Sequence, residues 1–117
     1  MTLRVTTDFW VSAVMRQAFA TGGFAAVERR GAAEAGAVVL VRRDRFGQGR
    51  LYLPAPQISY DEARPSDRHF VEAANITDDL EVAARIEKEM RFDPDLWVVE
   101  LEVSDENFAQ LVSIMTP

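Results

Sequence analysis

Residues 91–103 read RFDPDLWVVELEV and join the end of a predicted helix to a predicted strand. Pro94 ends the helix because proline lacks a backbone N–H donor and disfavours helical backbone at the residue before it. Residues 96–103 then place an apolar side chain at every second position, which is typical of a strand. The predicted inward positions are Trp97, Val99, Leu101 and Val103, and Glu100 and Glu102 point the other way.

Helical spacing flanks this strand on both sides. Asp78 followed by Glu81 resembles a capping box, in which a side-chain oxygen accepts a hydrogen bond from a free backbone N–H. Ser104 can cap a final short helix through the same kind of bond. The apolar stripes of these two helices are Leu80, Val82, Ala83, Ile86 and Met90 in the first and Phe108, Leu111, Val112 and Met115 in the second.

The first half of the chain predicts one helix and then several strands. Thr7 or Asp8 can cap the helix, and Gly22-Gly23 ends it. The apolar side of this helix carries Trp10, Val11, Val14, Met15, Ala18 and Phe19. Strands are predicted at residues 24–30, 37–41, 50–53 and 69–73, with a hairpin turn at 42–49.

These elements indicate a single α+β domain over residues 1–117, with the order α-β-β-β-β-α-β-α. Strands joined by short hairpin turns pair antiparallel. We therefore expect a mainly antiparallel sheet of four to five strands, with the helices covering one of its faces. The unbroken apolar run at residues 37–41 is the predicted central strand.

The composition narrows the class of protein. The chain has 117 residues, of which 48% are hydrophobic and 27% charged, and these values are typical of a globular domain. It has no cysteine, which excludes disulfides, thiolate zinc sites and cysteine nucleophiles. No run approaches the roughly 18 apolar residues that a membrane span requires. We therefore expect a cytoplasmic protein without a membrane segment.

Charge is distributed unevenly along the chain. Residues 1–50 carry eight arginines against four acids, a net charge of +4, and residues 51–117 carry five basic residues against fifteen acids, a net charge of −10. The whole chain has a net charge of −6, which opposes long-range attraction to phosphate. Charge matching between the two halves is therefore the expected arrangement.

A first candidate site lies around the proline of the opening segment. Asp93 and Asp95 precede Trp97 and Glu100, and carboxylates beside an aromatic ring could hold Mg²⁺ or act as an acid/base pair. The alternative is a helix-to-strand connector whose carboxylates accept hydrogen bonds from nearby backbone N–H groups. The second interpretation is favoured because aspartate and proline are ordinary turn residues.

A second candidate surface is rich in arginine. Its members, predicted on adjoining strands and their turn, are Arg29, Arg30, Arg42, Arg43, Arg45 and Arg50, with Phe46 and Tyr52 among them. Arginine with aromatic residues can bind a single nucleic-acid strand or an anion, whereas charged strand edges also prevent sheets from aggregating. Tyr52 and Gln57 flank two prolines at the start of a polar loop, either as a ligand-contacting rim or as the end of a strand.

Several pieces of the chain resemble a small bacterial family of proteins of unknown function, about 115 residues long. The pieces are residues 10–13, 22–25, 35–38, 54–57 and 91–100, of which FDPDLWVVE is the most specific. The likeness covers residues 9–102, so residues 104–117 are predicted to be a C-terminal helical addition. The resemblance implies a bacterial cytoplasmic protein and supplies no activity, cofactor or catalytic residue.

The sequence thus predicts a small non-catalytic binding or regulatory protein without cofactor or metal. Its expected partner is a protein or a small molecule, and a homodimer formed through the C-terminal helix or an edge strand is a further expectation. One alternative is a metal-assisted hydrolase or transferase that uses Asp93, Asp95 and Glu100 on a phosphate-containing small molecule. Another is a weak binder of single-stranded nucleic acid that uses Arg42, Arg43 and Arg45.

Overall fold

The structure is a computed structural model that describes residues 5–56, 68–76 and 78–115. Most of the polar loop predicted after the second proline therefore lies outside the described residues. In chain order the elements are α1 (Thr7–Ala20), β1 (Phe24–Arg29), β2 (Val38–Arg43), β3 (Gly49–Pro54), β4 (His69–Glu72), α2 (Asp79–Phe92), β5 (Trp97–Glu102), α3 (Asp105–Leu111) and β6 (Ser113–Ile114).

The strands form one mixed sheet in the spatial order β1-β5-β2-β3-β4-β6. Three of the pairs are antiparallel, β1 with β5, β2 with β3 and β3 with β4. Two are parallel, β2 with β5 and β4 with β6. The α+β class is confirmed, but the prediction of four to five mainly antiparallel strands is wrong. Hairpin turns identify only neighbours in sequence, whereas both parallel pairs join strands far apart in the chain.

Strand β2 is buried on both faces of the sheet. Val38 and Leu40 of β2 lie in a core with α1 and α3, and Val39 and Val41 lie in a second core with α2. The helices therefore cover both faces, and the prediction of one covered face is wrong. The physical reason is visible in residues 37–41, because a continuous apolar run suits a strand buried on both sides.

Strand β5 divides its side chains between the same two cores. Trp97, Val99 and Leu101 face inward as predicted, into the core with α1 and α3, and Val98 packs on the α2 side. The Trp97 ring is 1% exposed, and its Nε1–H donates to the Ala32 carbonyl at 2.7 Å. The loop before β2 thus closes over the start of β5.

Glycine is required where that loop meets β5. A Cβ at Gly31 would lie 2.0 Å from the Asp95 carbonyl oxygen and 2.7 Å from Cδ1 of Trp97. A Cβ at Gly36 would lie 2.5 Å from the same oxygen. The backbone approach that buries the tryptophan therefore depends on two positions without side chains.

Two of the three helices begin at the N-terminal cap that the local sequence predicts. Asp78 Oδ1 accepts from the Glu81 backbone N–H at 2.8 Å, and Ser104 Oγ accepts from the Asn107 N–H at 3.2 Å, so both predicted caps are confirmed. The N-cap of α1 is Thr6, one residue before the predicted choices. Thr7 is fully buried instead, and its hydroxyl donates to the Gly36 carbonyl at 2.8 Å.

The C-terminal helix is shorter than its apolar spacing predicts. It ends at Leu111, and β6 then pairs with β4 in parallel. The Met115 N–H continues this pairing with a 2.7 Å bond to the Phe70 carbonyl. The backbone N–H and C=O groups at the edge of β4 form inter-strand hydrogen bonds with this segment, and these bonds replace the last helical turn.

No helix within the described ranges is long and apolar enough to cross a membrane.

Candidate functional site

Arg42 and Arg43 end β2, and because successive side chains of a strand alternate, they lie on opposite faces of the sheet. Arg42 lies on the α3 side. Its Nη2 donates to Asp105 Oδ1 at the start of α3 and to the Val103 carbonyl at 3.1 Å. Its guanidinium carbon lies 4.7 Å from the centre of the Phe108 ring. Arg42 therefore holds α3 against the sheet through charge and ring contact.

Arg43 holds α2 against the opposite face of the sheet. Its Nε donates to Glu100 Oε1 on β5, and its Nη1 donates to Asp79 Oδ1 at the start of α2, at 2.9 Å. The same Nη1 donates to the Gly47 carbonyl of the hairpin turn at 3.1 Å. Hydrogen bonds to the carboxylates of Asp79 and Glu100 raise the pKa of Arg43. One guanidinium thus connects a strand, a helix and a turn.

These contacts confirm the expected charge matching between the two halves of the chain. Arginines of the first half meet acids of the second in four ion pairs. The pairs are Arg42 with Asp105, Arg43 with Asp79, Arg43 with Glu100, and Arg50 with Glu72 at 4.0 Å. Two of the three arginines proposed for the hairpin surface therefore already have carboxylate partners.

The arginines do not form one continuous basic surface. Strand β5 lies between β1 and β2, so the prediction that Arg29 and Arg30 lie on a strand adjoining that of Arg42 is wrong. Arg29 donates to the Pro94 carbonyl at 2.8 Å, and the guanidinium carbon of Arg30 lies 4.8 Å from the centre of the Trp97 ring. Both side chains cover the α2–β5 connection instead.

The predicted carboxylate set is spread along this connection and β5. Asp93 Oδ1 accepts a hydrogen bond from the Asp95 backbone N–H at 3.1 Å. This is the kind of bond that the connector interpretation of the segment expects. Glu100 follows Trp97 by three strand positions, about 10 Å along β5, and pairs with Arg43. Among the described residues, no group of three or more histidine, aspartate or glutamate side chains is placed to hold a metal ion.

Tyr52 belongs to the core. It is 5% exposed, and its ring centre lies 5.0 Å from that of Phe108. Burial raises the pKa of its hydroxyl, with the negative charge of Glu72 as a smaller cause. The neighbouring candidate, Gln57, lies outside the described residues.

The turn between β2 and β3, which we call the hairpin tip (residues 44–48), is exposed and closed by hydrogen bonds. Asp44 Oδ1 accepts from the Phe46 N–H at 2.8 Å and from the Gln48 N–H at 3.0 Å. Two backbone bonds between Asp44 and residues 47 and 48 close the turn, and Gly47 has a φ of 83°. These bonds define the backbone of the turn at Phe46, whose side chain is 81% exposed.

Arg45 completes the tip. Its guanidinium carbon lies 5.1 Å from the centre of the Phe46 ring. The ion pairs within the described part of the chain do not include Arg45. The tip therefore presents an aromatic ring next to a cation that has no ion-pair partner among the described residues. Sequence reasoning placed both residues in a turn but could not distinguish Arg45 from the paired arginines.

Two grooves border the hairpin. The first, the α3 groove, has a volume of about 660 Å³ and lies between the hairpin and the start of α3. Arg42, Arg43, Arg45 and Phe46 line it together with Asp44, Glu102 and Asp105, so its three positive charges face three negative ones. The second, the β4 groove, has a volume of about 650 Å³ and is lined by Gln48, Gly49, Arg50, Glu72, Ala73, Ala74, Asn75, Ile76, Ile114 and Met115.

Sequence reasoning passed over Glu28. This residue lies in β1 where a register shift between Val27 and Arg29 interrupts the pairing with β5. Desolvation raises the pKa of its carboxyl, and the neighbouring charge of Glu100 raises it further. A bulge in an edge strand has no clear signal in a single sequence, so the proximity of these two acids could not be predicted.

The fold and these surfaces define a small α+β protein with a two-faced mixed sheet and an exposed aromatic hairpin tip. A family model described as "Protein of unknown function (DUF1491)" matches residues 5–110. The chain belongs to this family, which confirms the resemblance drawn from its sequence pieces. No curated protein shows a significant sequence match to the chain.

Solved structures of bacterial proteins are similar over almost the whole chain. A protein of A. tumefaciens, studied in solution, is 39% identical with a TM-score of 0.81, and the match covers 98% of each chain. A DUF1491 family protein from Caulobacter crescentus CB15, studied in a crystal, is 34% identical with a TM-score of 0.76, over 95% of this chain and 99% of that one. An NMR structure of a DUF1491 protein from the same bacterium has 32% identity and a TM-score of 0.76.

The Arg43 contacts predict a specific loss of stability. Arg43→Met keeps most of the side-chain length but leaves Glu100, which is 17% exposed, without its cation. We expect the free energy of unfolding to fall by about 2 kcal/mol, since an unpaired and largely buried charge is costly. Urea unfolding measures this change. Arg16→Met, at an exposed position of α1, is the matched control with an expected change below about 0.5 kcal/mol, and equal effects of the two variants would contradict the assignment.

The raised pKa of Glu28 predicts a pH dependence. A carboxyl with a raised pKa in the folded state binds its proton more tightly there, so the protein loses stability as pH rises above the ordinary value of 4.5. Glu28→Gln removes this loss. The variant should therefore gain stability relative to the parent between pH 4 and pH 7, by less than about 1 kcal/mol because the carboxyl is largely exposed.

Thermal unfolding at several pH values measures this difference. Glu34→Gln, in the loop between β1 and β2, is the matched control for the loss of one negative charge. A stability difference between Glu28→Gln and the parent that stays constant, or shrinks as pH rises, would contradict the raised pKa of Glu28.

Proposed function

We propose that this DUF1491 protein is a non-catalytic binding protein that contacts a protein partner through its hairpin tip. The observation that carries the proposal is Phe46, whose ring is 81% exposed on a turn held by side-chain and backbone hydrogen bonds. An exposed ring contributes nothing to the core of its own chain. Its burial by a partner would contribute about 1.5–3 kcal/mol.

The rigidity of the tip supports a role in recognition. Binding orders the side chains and loops that it uses, and a turn that is already fixed avoids most of this entropic cost. Asp44 provides the fixation, because one of its carboxylate oxygens accepts two backbone N–H groups of the turn. Arginine and aromatic residues are also enriched among the residues that dominate protein interfaces. Arg45 and Phe46 are adjacent members of those classes.

The charges around the hairpin favour a protein over a nucleic acid. Arg42 and Arg43 are bonded to carboxylates, so of the three arginines on this surface Arg45 alone has no carboxylate partner among the described residues. Binding to a phosphate backbone draws on several unneutralised cations, and the net charge of −6 weakens the approach of a polyanion. A neutral or apolar protein surface with one carboxylate fits the tip better.

A photo-cross-linking amino acid at position 46 tests this proposal. We expect the variant, expressed in bacterial cells and irradiated, to form a covalent adduct of higher mass, because the Phe46 ring would be enclosed by the partner. Gel electrophoresis and mass spectrometry identify the adduct. The matched control carries the same group in place of Phe92, whose side chain is 79% exposed at the end of α2.

Adducts from position 46 and not from position 92 would support binding through the tip. The absence of any adduct from position 46, in a variant that melts at the parent temperature, would refute the proposal. The same adducts from both positions would indicate random collision of exposed rings and would refute it as well.

A further inference from the structure

We infer that the partner of the hairpin tip is a second copy of this chain, whose β4 groove receives Phe46 and Arg45. The inference rests on the proposed binding role of the tip and names its partner. It gives both exposed features a common use, since the tip projects an aromatic ring and a cation and the groove offers an apolar wall and a carboxylate.

The β4 groove has the chemistry to enclose a phenylalanine ring. Ile76, Ile114 and Met115 supply an apolar wall. The volume of the groove, about 650 Å³, lies in the range of pockets that bind small ligands. Ile114 is 40% exposed although it belongs to β6, the last strand of the sheet on this side. The groove therefore exposes apolar side chains beside β6, the last strand of the sheet in the described part of the chain, where a partner would cover both.

The groove holds one carboxylate, Glu72, that matches the charge of Arg45, next to the cation Arg50. Glu72 lines the groove with a side chain that is 44% exposed, and its ion pair with Arg50 is long, at 4.0 Å. The Arg50 side chain is itself 65% exposed, so neither charge is locked by burial. A guanidinium that enters with Phe46 meets the Glu72 carboxylate at the rim. Arg45, which stacks on the same ring at 5.1 Å, supplies that guanidinium.

The position of the groove favours a closed dimer. Its lining begins at Gln48, two residues after Phe46, so tip and groove lie side by side on each molecule. In an arrangement with two-fold symmetry, each copy inserts its tip into the groove of the other, and both contacts form together. The opposite edge of the sheet is less suited to pairing, because the irregularity between Val27 and Arg29 interrupts strand β1.

Charge reversal on either side of the contact provides the test. Light scattering of the full chain should give about twice the monomer mass of 13.1 kDa. Arg45→Glu brings a carboxylate to Glu72 at each contact, and Glu72→Arg leaves only guanidinium groups there, with Arg45 and Arg50 among them, so each variant alone should dissociate at least tenfold more readily. An equimolar mixture of the two variants should recover the dimer mass, because both contacts then join opposite charges.

Two exposed phenylalanines control for folding and specificity. Phe46→Ala should dissociate the dimer without lowering the melting temperature of the monomer, and Phe92→Ala should leave the mass unchanged. These variants keep the test valid if a charge reversal fails to fold. A parent chain of 13.1 kDa at millimolar concentration, or charge-reversed variants that remain dimeric, would overturn the inference.

The mixture and the cross-linker separate this inference from the proposed function. A mixture that stays monomeric while each variant is folded would overturn the pairing of Arg45 with Glu72. An adduct from position 46 to a different protein, with a monomeric parent, would also overturn the second copy as partner while supporting binding through the tip. A covalent dimer of this chain from position 46 would support both.

Discussion

The parallel pairing of β2 with β5 determines where all three helices lie. Its five registered residue pairs run from Val38 with Trp97 to Arg42 with Leu101. Because apolar side chains leave this pair on both faces, two separate cores form, one with α1 and α3 and the other with α2. Burial at about 25 cal/mol per Å² of apolar surface stabilises both layers at once. Neither layer can be assembled in this position without the pair.

At the end of β2, ion pairs join the sheet to the helices on both faces. Arg42 and Arg43 are consecutive and so face opposite layers, and each joins the sheet to the first turn of a helix, Asp105 of α3 and Asp79 of α2. An Arg-rich strand end therefore serves mainly the fold. The hairpin beyond it keeps one arginine and one phenylalanine exposed on a hydrogen-bonded turn, apart from the residues that secure the helices.

Local features were predictable from the sequence, and distant pairings were not. The caps at Asp78 and Ser104 depend on residues three positions apart, and the connector role of Asp93 depends on its own turn, so sequence reasoning reached them. The partner of β2 and the pairing of β6 with β4 depend on which strand edges meet after folding, which periodicity does not encode. Charge matching was predictable for the two halves of the chain, but the particular pairs of Arg43 follow from the sheet order.

Native-state hydrogen exchange measures the central role of the β2–β5 pair directly. The amides of Leu40 and Val99 should exchange only through global unfolding, with an opening free energy equal to the free energy of unfolding obtained with denaturant. The amides of α3, which packs on this pair, and of β6, at the edge of the sheet, should open at lower free energy. Exchange of the β2 and β5 amides at a lower free energy than those of α2 or α3 would contradict the account.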